Sequence, residues 1–342
     1  MTTSSAAESA PDTPEVAHYS LGAPPDVWWD AHFEGAAVQI LDFFGDDGIS
    51  LTGKRVADVG CGDGIIDLGV VQRAGPECLV GFDLVSTDVD DLARLAKEHG
   101  GIDQLPDNLF FATSHERSIP AEDHSFDVVV SWSAFEHIAD PVAVLREIRR
   151  ILTHHGLLFI QLWPFYHSAH GTHLVDWFPD GFAQHRFRDE EIIARVRASG
   201  DQELASRLID IYKTLNRITL DDLHAALTEV GFRVVKIALD AEKVHLPEEV
   251  AHLPLSHVAV SGVKLLAIPP AYDRPESVEP EKAEEVLLEP PSHQLDALRP
   301  AGEPAEEGGR PAEWIRRGVR TLRRRLADLD AALERYEESP ER

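Results

Sequence analysis

From about residue 53 to residue 163, short runs of consecutive apolar residues alternate with stretches whose apolar positions recur every three or four residues. Runs of the first kind read as strands buried on both faces, and stretches of the second kind read as amphipathic helices. The pattern predicts strand 55–59, helix 64–74, strand 78–83, helix 88–99, strand 108–112, strand 126–131, helix 140–152 and strand 156–162. This alternation implies an α/β fold, a parallel sheet with helices on both faces. A helix at 219–230 and strand candidates at 231–237 and 257–268 extend the series. Upstream, Trp29, Phe33, Ala37, Ile40 and Phe44 fall at helical spacing after Pro24-Pro25-Asp26, which predicts a helix through about residue 44.

The flanks and one interior stretch break this rhythm. Residues 1–15 are small, polar and aperiodic, and read as disordered, so the main domain is set at 16–269. The stretch from about 163 to 218 is too long for a connecting loop. It holds Trp163, Phe165, Tyr166, Trp177, Phe178, Phe182 and Phe187 together with His167, His170, His173 and His185, and is read as a substrate-recognition insertion. Residues 270–312 form an acidic, Pro- and Glu-rich linker. Beyond it, Ile315, Val319, Leu322, Leu326, Leu329, Leu333 and Tyr336 keep a heptad spacing, the seam of a coiled-coil helix over 313–338. Its first half is rich in arginine and its second half in acids, which favours an antiparallel pair between two copies, hence a homo-oligomer. The alternative is that the arginines dock on the acidic body or on an anionic surface.

Charge and cysteine usage narrow the function. A formal net charge of −28 repels phosphate backbones, so nucleic acid is a poor partner. No apolar run reaches membrane-spanning length and the first basic residue is Lys54, which argues against a secretory leader and for a cytoplasmic protein. Only Cys61 and Cys78 are present, so neither a disulfide framework nor a thiolate zinc site is expected.

The chemistry concentrates in Arg55-Val-Ala-Asp-Val-Gly-Cys-Gly-Asp-Gly64, a strand running into a loop with Gly60, Gly62 and Gly64 at every second position. Such a loop lets backbone pass close to a nucleotide-like ligand at a helix N-terminus, beyond the carboxyl ends of parallel strands. A dinucleotide fingerprint would require glycine at position 65, where Ile65 stands. Asp83 closes the next strand about 20 residues on, placed to accept hydrogen bonds from both ribose hydroxyls. Together with Ser125-Phe-Asp-Val-Val-Val-Ser-Trp-Ser-Ala-Phe-Glu-His-Ile-Ala-Asp-Pro141, these motifs resemble the class I S-adenosylmethionine-dependent methyltransferases, over roughly residues 53–163 and more weakly to about 269.

That resemblance implies a Rossmann-like sheet of seven strands, mostly parallel, whose last two strands form the antiparallel end. It implies S-adenosylmethionine as cofactor, with Gly60, Cys61, Gly62 and Gly64 beneath its methionine portion and Asp58 near the ammonium group. Asp83 would take the ribose, Leu84 the adenine face and Ser114 the adenine edge, while Ser131 and Trp132 would line the mouth toward the acceptor. Asp58 and Asp127 could instead be ordinary strand-edge acids, the favoured reading for Asp127. The segment near residue 25–44 would cover the cofactor.

A hydroxyl acceptor must lose a proton, and histidine suits a base near neutrality. His137, His167, His170 and His173 are the catalytic candidates. His137 could equally support the site from behind. Within the His167–His173 run the spacing of three leaves a metal conceivable, with loop polarity as the alternative; no metal is assigned. The insertion is loosely similar to those of bacterial sugar and glycoconjugate methyltransferases, which suggests O-methylation of a small polyhydroxylated or glycan acceptor. The competing reading is a silent scaffold on the same core, acting through its coiled coil.

Overall fold

The computed structural model describes residues 23–270. The expectations for residues 1–15, for the linker beyond residue 270 and for the coiled-coil helix at 313–338 lie outside the described residues. Seven strands form one sheet in the order β3-β2-β1-β4-β5-β7-β6. They are β1 (Arg55–Val59), β2 (Cys78–Asp83), β3 (Leu109–Thr113), β4 (Phe126–Trp132), β5 (Leu152–Leu162), β6 (Arg233–Ala241) and β7 (Val260–Ile268). β1 to β5 pair in parallel, and β7 runs antiparallel to both β5 and β6. The chain leaves β1 toward β2 and β3, then returns to add β4 on the other side of β1. The reversal opens a crevice at the carboxyl ends of β1 and β4, where doubly wound sheets take their ligands.

Alternation along each strand divides the core between the two faces. On one face Val56, Val128, Val130 and Phe159 pack with Ala37, Ile40, Phe44, Ile66 and Val70 of α2 (Ala37–Gly45) and α3 (Ile65–Ala74). On the other, Ala57, Val129, Leu158 and Ile160 meet Leu145 and Ile148 of α5 (Pro141–Ile151) and Leu223 and Leu227 of α9 (Leu220–Val230). The remaining crossover helix, α4 (Val89–Gly100), buries Leu92 and Ala96 with Trp29 and Phe33 of the N-terminal helix and with Leu109 and Phe111 of the edge strand β3. The N-terminal helix is a continuous path of α1 (Pro25–Trp29), a π-helical stretch (Asp30–Ala36) and α2. It approaches α3 closely at Gly69, where a Cβ would stand 2.7 Å from that of Ala37 and 2.8 Å from the Phe33 carbonyl oxygen.

β5 begins earlier than its apolar pattern predicts. Leu152 pairs with Phe126, the register shifts between Phe126 and Val128, and the exposed His154 and His155 occupy the irregular stretch. Those polar residues hide the strand's first half from a hydrophobicity pattern.

The insertion carries α6 (Ala183–Arg186), α7 (Asp189–Arg197) and α8 (Gln202–Thr214). Its aromatic richness is largely structural, contrary to the reading of those rings as substrate contacts. Tyr166, Leu174, Phe178, Ile192, Val196, Leu208 and Tyr212 make a small core of their own, and Phe165 and Phe182 are buried as well. A separate unit of this size needs its own apolar centre to fold. Among the described residues no helix is long and apolar enough to cross a membrane.

Candidate active site

Gly60, Gly62 and Gly64 follow β1 with φ of +90°, +56° and +78°, a left-handed path that residues bearing a Cβ rarely take. The loop is pinned from one side. The Gly60 N–H donates to the Phe82 carbonyl at 2.8 Å, and the Thr87 hydroxyl donates to the Gly62 carbonyl at 3.0 Å. A Cβ on Gly60 would collide with that of Ala134, whereas a Cβ on Gly62 would meet nothing within 4 Å. One flank of the loop therefore touches the segment after β4 while the flank at Gly62 is open.

Asp83 stands at the end of β2 and is aimed by backbone amides. Gly62 N–H donates to its Oδ2 at 3.0 Å and Val85 N–H to its Oδ1 at 3.1 Å. A carboxylate accepts about four hydrogen bonds, so two remain for a diol. Leu84 beside it is 56% exposed, an apolar face with no cover. The Ser114 N–H donates to the Asp83 carbonyl at 2.7 Å, which places the β3 end alongside. The Trp28 indole N–H reaches Asp63 of the loop at 2.7 Å, so the N-terminal helix crosses the glycine turn as expected of a cover. An open glycine cradle, a pre-aimed carboxylate and an exposed apolar side chain fit a nucleoside-bearing cofactor such as S-adenosylmethionine, which supplies an electrophilic methyl group when bound.

Three expected cofactor contacts are placed differently. Asp58 is 2% exposed and faces α3, where the equally enclosed Asp67 carries two carboxylate oxygens without hydrogen-bond partners. Burial pushes the Asp58 carboxyl up to about 7 and, with the field of Asp58 added, drives Asp67 well above the usual range. The pair holds a proton under the loop, and Asp58 does not open onto the crevice. Cys61 is buried with its sulfur 3.6 Å from the Thr87 hydroxyl, and burial raises its thiol, so it is a packed neighbour and no nucleophile. Ser131 does not line the mouth. β4 runs one residue further than predicted, and the fully buried Ser131 hydroxyl donates to the Val59 carbonyl at 2.7 Å. Trp132 is likewise buried, stacked near Phe159. Asp127 has the structural part foreseen for it, paired with Arg55 at 3.0 Å.

The mouth is formed instead by Ser133 to His137, the turn that abuts Gly60. The Ser133 amide and hydroxyl both donate to Gln161 Oε1 at 2.9 Å, and the His137 N–H closes the turn on the Ala134 carbonyl. The last residues of the insertion hold it from outside. Asn216 donates from its backbone N–H to the Glu136 carbonyl at 2.8 Å, and from Nδ2 to the carbonyls of Phe135 at 2.6 Å and Ile138 at 2.8 Å. The Thr214 hydroxyl donates to the Ile211 carbonyl at 2.8 Å, so it accepts from His137 Nδ1, also at 2.8 Å. That network assigns the proton of His137 to Nδ1 and leaves Nε2 with its lone pair.

The histidines of the insertion part company. His173, in a left-handed conformation at φ +60°, comes to His137 with ring centroids 5.4 Å apart. His167 instead lies between His185 and His257, at 5.2 Å and 5.7 Å, and His170 Nδ1 stands 3.2 Å from a Glu242 carboxylate oxygen. Of the catalytic candidates, the structure brings together His137 and His173 and leaves His167 and His170 elsewhere. Burial holds His137 near 4 and His173 near 3, so both are neutral imidazoles at pH 7.

Glu136, Asp67, Thr214 and Asn216 were not among the expected site residues. Glu136 and Asp67 share a signal, an acid set within an apolar stretch, which costs too much to bury without purpose. Thr214 and Asn216 carry none, because their partners are about 80 residues away in sequence.

Comparisons with known proteins agree with this geometry. A family model described as "Methyltransferase domain" matches residues 29–237, more than half of the chain. A ubiquinone biosynthesis O-methyltransferase from Neisseria meningitidis is 33% identical over 153 residues, covering 43% of this chain and 61% of that protein. One of the same name from Idiomarina loihiensis is 26% identical over 208 residues, 57% of this chain and 82% of that protein. Among solved structures, a putative sarcosine dimethylglycine methyltransferase from Galdieria sulphuraria aligns with a TM-score of 0.44 and 14% identity, over 70% of this chain and 85% of that one. With residues 29–237 matched, from the N-terminal helix through β1 to β5, the glycine loop and the insertion, the chain belongs to the methyltransferase-domain family.

Proposed function

We propose that the protein transfers the methyl group of S-adenosylmethionine to a hydroxyl oxygen of a small acceptor, held between the glycine loop, the Ser133–His137 turn and the insertion. The observation that carries this reading is the direct abutment of Gly60 on Ala134, which sets the cofactor loop beside His137 and His173. In-line methyl transfer asks the protein to align acceptor and sulfonium and to keep water out. The Asn216 clamp supports alignment by fixing the turn. Relatives named as O-methyltransferases of ubiquinone biosynthesis support oxygen as the acceptor atom. A phenolic ring with neighbouring hydroxyls and a glycan both offer such an oxygen.

The test supplies S-adenosylmethionine labelled in its methyl group and a panel of catechols, simple phenols, sugars, amines and carboxylic acids, with products read by mass spectrometry. A labelled methyl ether on a catechol or a sugar is the expected product. Turnover of amines or carboxylates alone would remove the hydroxyl acceptor while leaving the family assignment in place.

A further inference from the structure

We infer that Glu136, His137 and His173 form a binding site for one divalent transition-metal ion of the zinc or cobalt kind, at the mouth of the methyl-transfer crevice. Their potential ligand atoms all lie within 4.8 Å of one another. A tetrahedral zinc site with bonds of about 2.1 Å holds its ligands roughly 3.4 Å apart, so side-chain rotation on the order of 1 Å closes this set on an ion.

The clearest sign is what these groups lack. Glu136 is 2% exposed, and neither carboxylate oxygen has a hydrogen-bond partner; the buried Nε2 of His173 has none either. Buried polar atoms are nearly always satisfied, and an isolated buried carboxylate is costlier than any neutral group. Both facts are resolved by a cation among the three. His137 is also oriented in the manner of a ligand. Thr214 accepts its Nδ1 proton, which fixes the ring and leaves Nε2 as donor to a metal.

Two imidazoles and one carboxylate select a borderline ion over magnesium or calcium, which prefer all-oxygen shells. Three protein ligands leave a position open toward the crevice, and this part rests on the hydroxyl-acceptor reading above. A hydroxyl entering that position would have its pKa lowered by the cation and would give its proton to water.

The experiment uses the full chain, stripped with a chelator and titrated with cobalt(II), whose visible absorption reports the ligand set. S-adenosylhomocysteine binding by calorimetry is followed in parallel as a check of the fold and of the cofactor site. The expected result is one cobalt per chain with a visible band that is lost in Glu136→Gln and in His173→Gln, while S-adenosylhomocysteine still binds. Thr214→Val keeps all three ligands and loses the bond that orients His137, along with the hydroxyl's own bond to the Ile211 carbonyl, so its cobalt affinity should fall about 10-fold or more. Wild type that binds S-adenosylhomocysteine and no cobalt overturns the metal site and leaves the methyltransferase reading intact. Cobalt binding undiminished in the three variants overturns it equally. Tight, ligand-dependent cobalt binding without methyl ether formation keeps the metal site and removes the hydroxyl acceptor.

Discussion

At Gly81 in the middle of β2, absence of a side chain is a packing requirement with no conformational motive. A Cβ there would stand 2.8 Å from Asp67 Oδ2, 2.8 Å from Cys61 Sγ and 2.7 Å from a Phe111 ring carbon. Gly81→Ala should therefore cost about 2 kcal/mol of stability in urea unfolding, the scale of an overpacked core. The same spot makes stability depend on pH. Asp58 and Asp67 hold protons in the folded chain that the unfolded chain releases above about pH 4, so the folded state binds more protons. Their contribution is complete below about pH 4 and is lost progressively above it, up to about pH 7 for Asp58 and beyond that for Asp67. Asp67→Asn, which keeps a donor beside Asp58, should flatten the decline in thermal midpoint between about pH 6.5 and pH 8 relative to wild type. At this scale the sequence was readable where a residue type has one use. Three alternating glycines and a strand-end acid announce a loop and a carboxylate beside it, and the structure joins the two through the Gly62 N–H and Asp83. Asp58 was misjudged because a motif gives position along the strand and not which face its side chain takes.

Among the elements, β1 to β4 were legible to within a residue. β1 and β2 fall at 55–59 and 78–83 as the apolar runs predict, while β5 was truncated by its polar first half and β6 runs to Ala241, beyond the expected 237. An edge strand paired on one side only need not be apolar throughout, and its limits blur accordingly. The insertion's helices were unreadable for another reason: their apolar residues serve a private core, and aromatic content alone does not tell a core from a binding face. The turn after β4 belongs to this scale as well. Its carbonyls at Phe135, Glu136 and Ile138 all lean on Asn216. Asn216→Ala should lower stability by about 2 kcal/mol through two buried carbonyls left without donors, with the larger loss in kcat, since the turn that faces the acceptor is what loosens. Trp28→Phe tests the N-terminal helix. Deleting the indole N–H to Asp63 should weaken S-adenosylhomocysteine binding a few-fold in calorimetry and barely move the melting temperature, because the bond is exposed.

For the whole molecule, the order β3-β2-β1-β4-β5-β7-β6 gathers the glycine loop, Asp83 and the Ser133–His137 turn at the carboxyl ends of the neighbouring strands β2, β1 and β4. Ligand binding should therefore be local. Amide hydrogen exchange with S-adenosylhomocysteine bound is expected to slow at residues 60–64, 83–85 and 133–137 and to stay unchanged along β6 at the sheet edge. Protection at β6 alone would count against a crevice between β1 and β4.

The Asn216 and Thr214 contacts bear on how such an enzyme can be re-engineered. Because the insertion's last turn holds the backbone of the turn after β4 and the ring of His137, it is joined to the sheet domain as a keystone is to an arch. A chimera that swaps residues 163–218 for another enzyme's insertion replaces that support along with the acceptor surface. Transfer of specificity by such grafting should succeed only in donors that bring an asparagine and a hydroxyl to these two positions, and a graft lacking them should lose turnover on every acceptor alike.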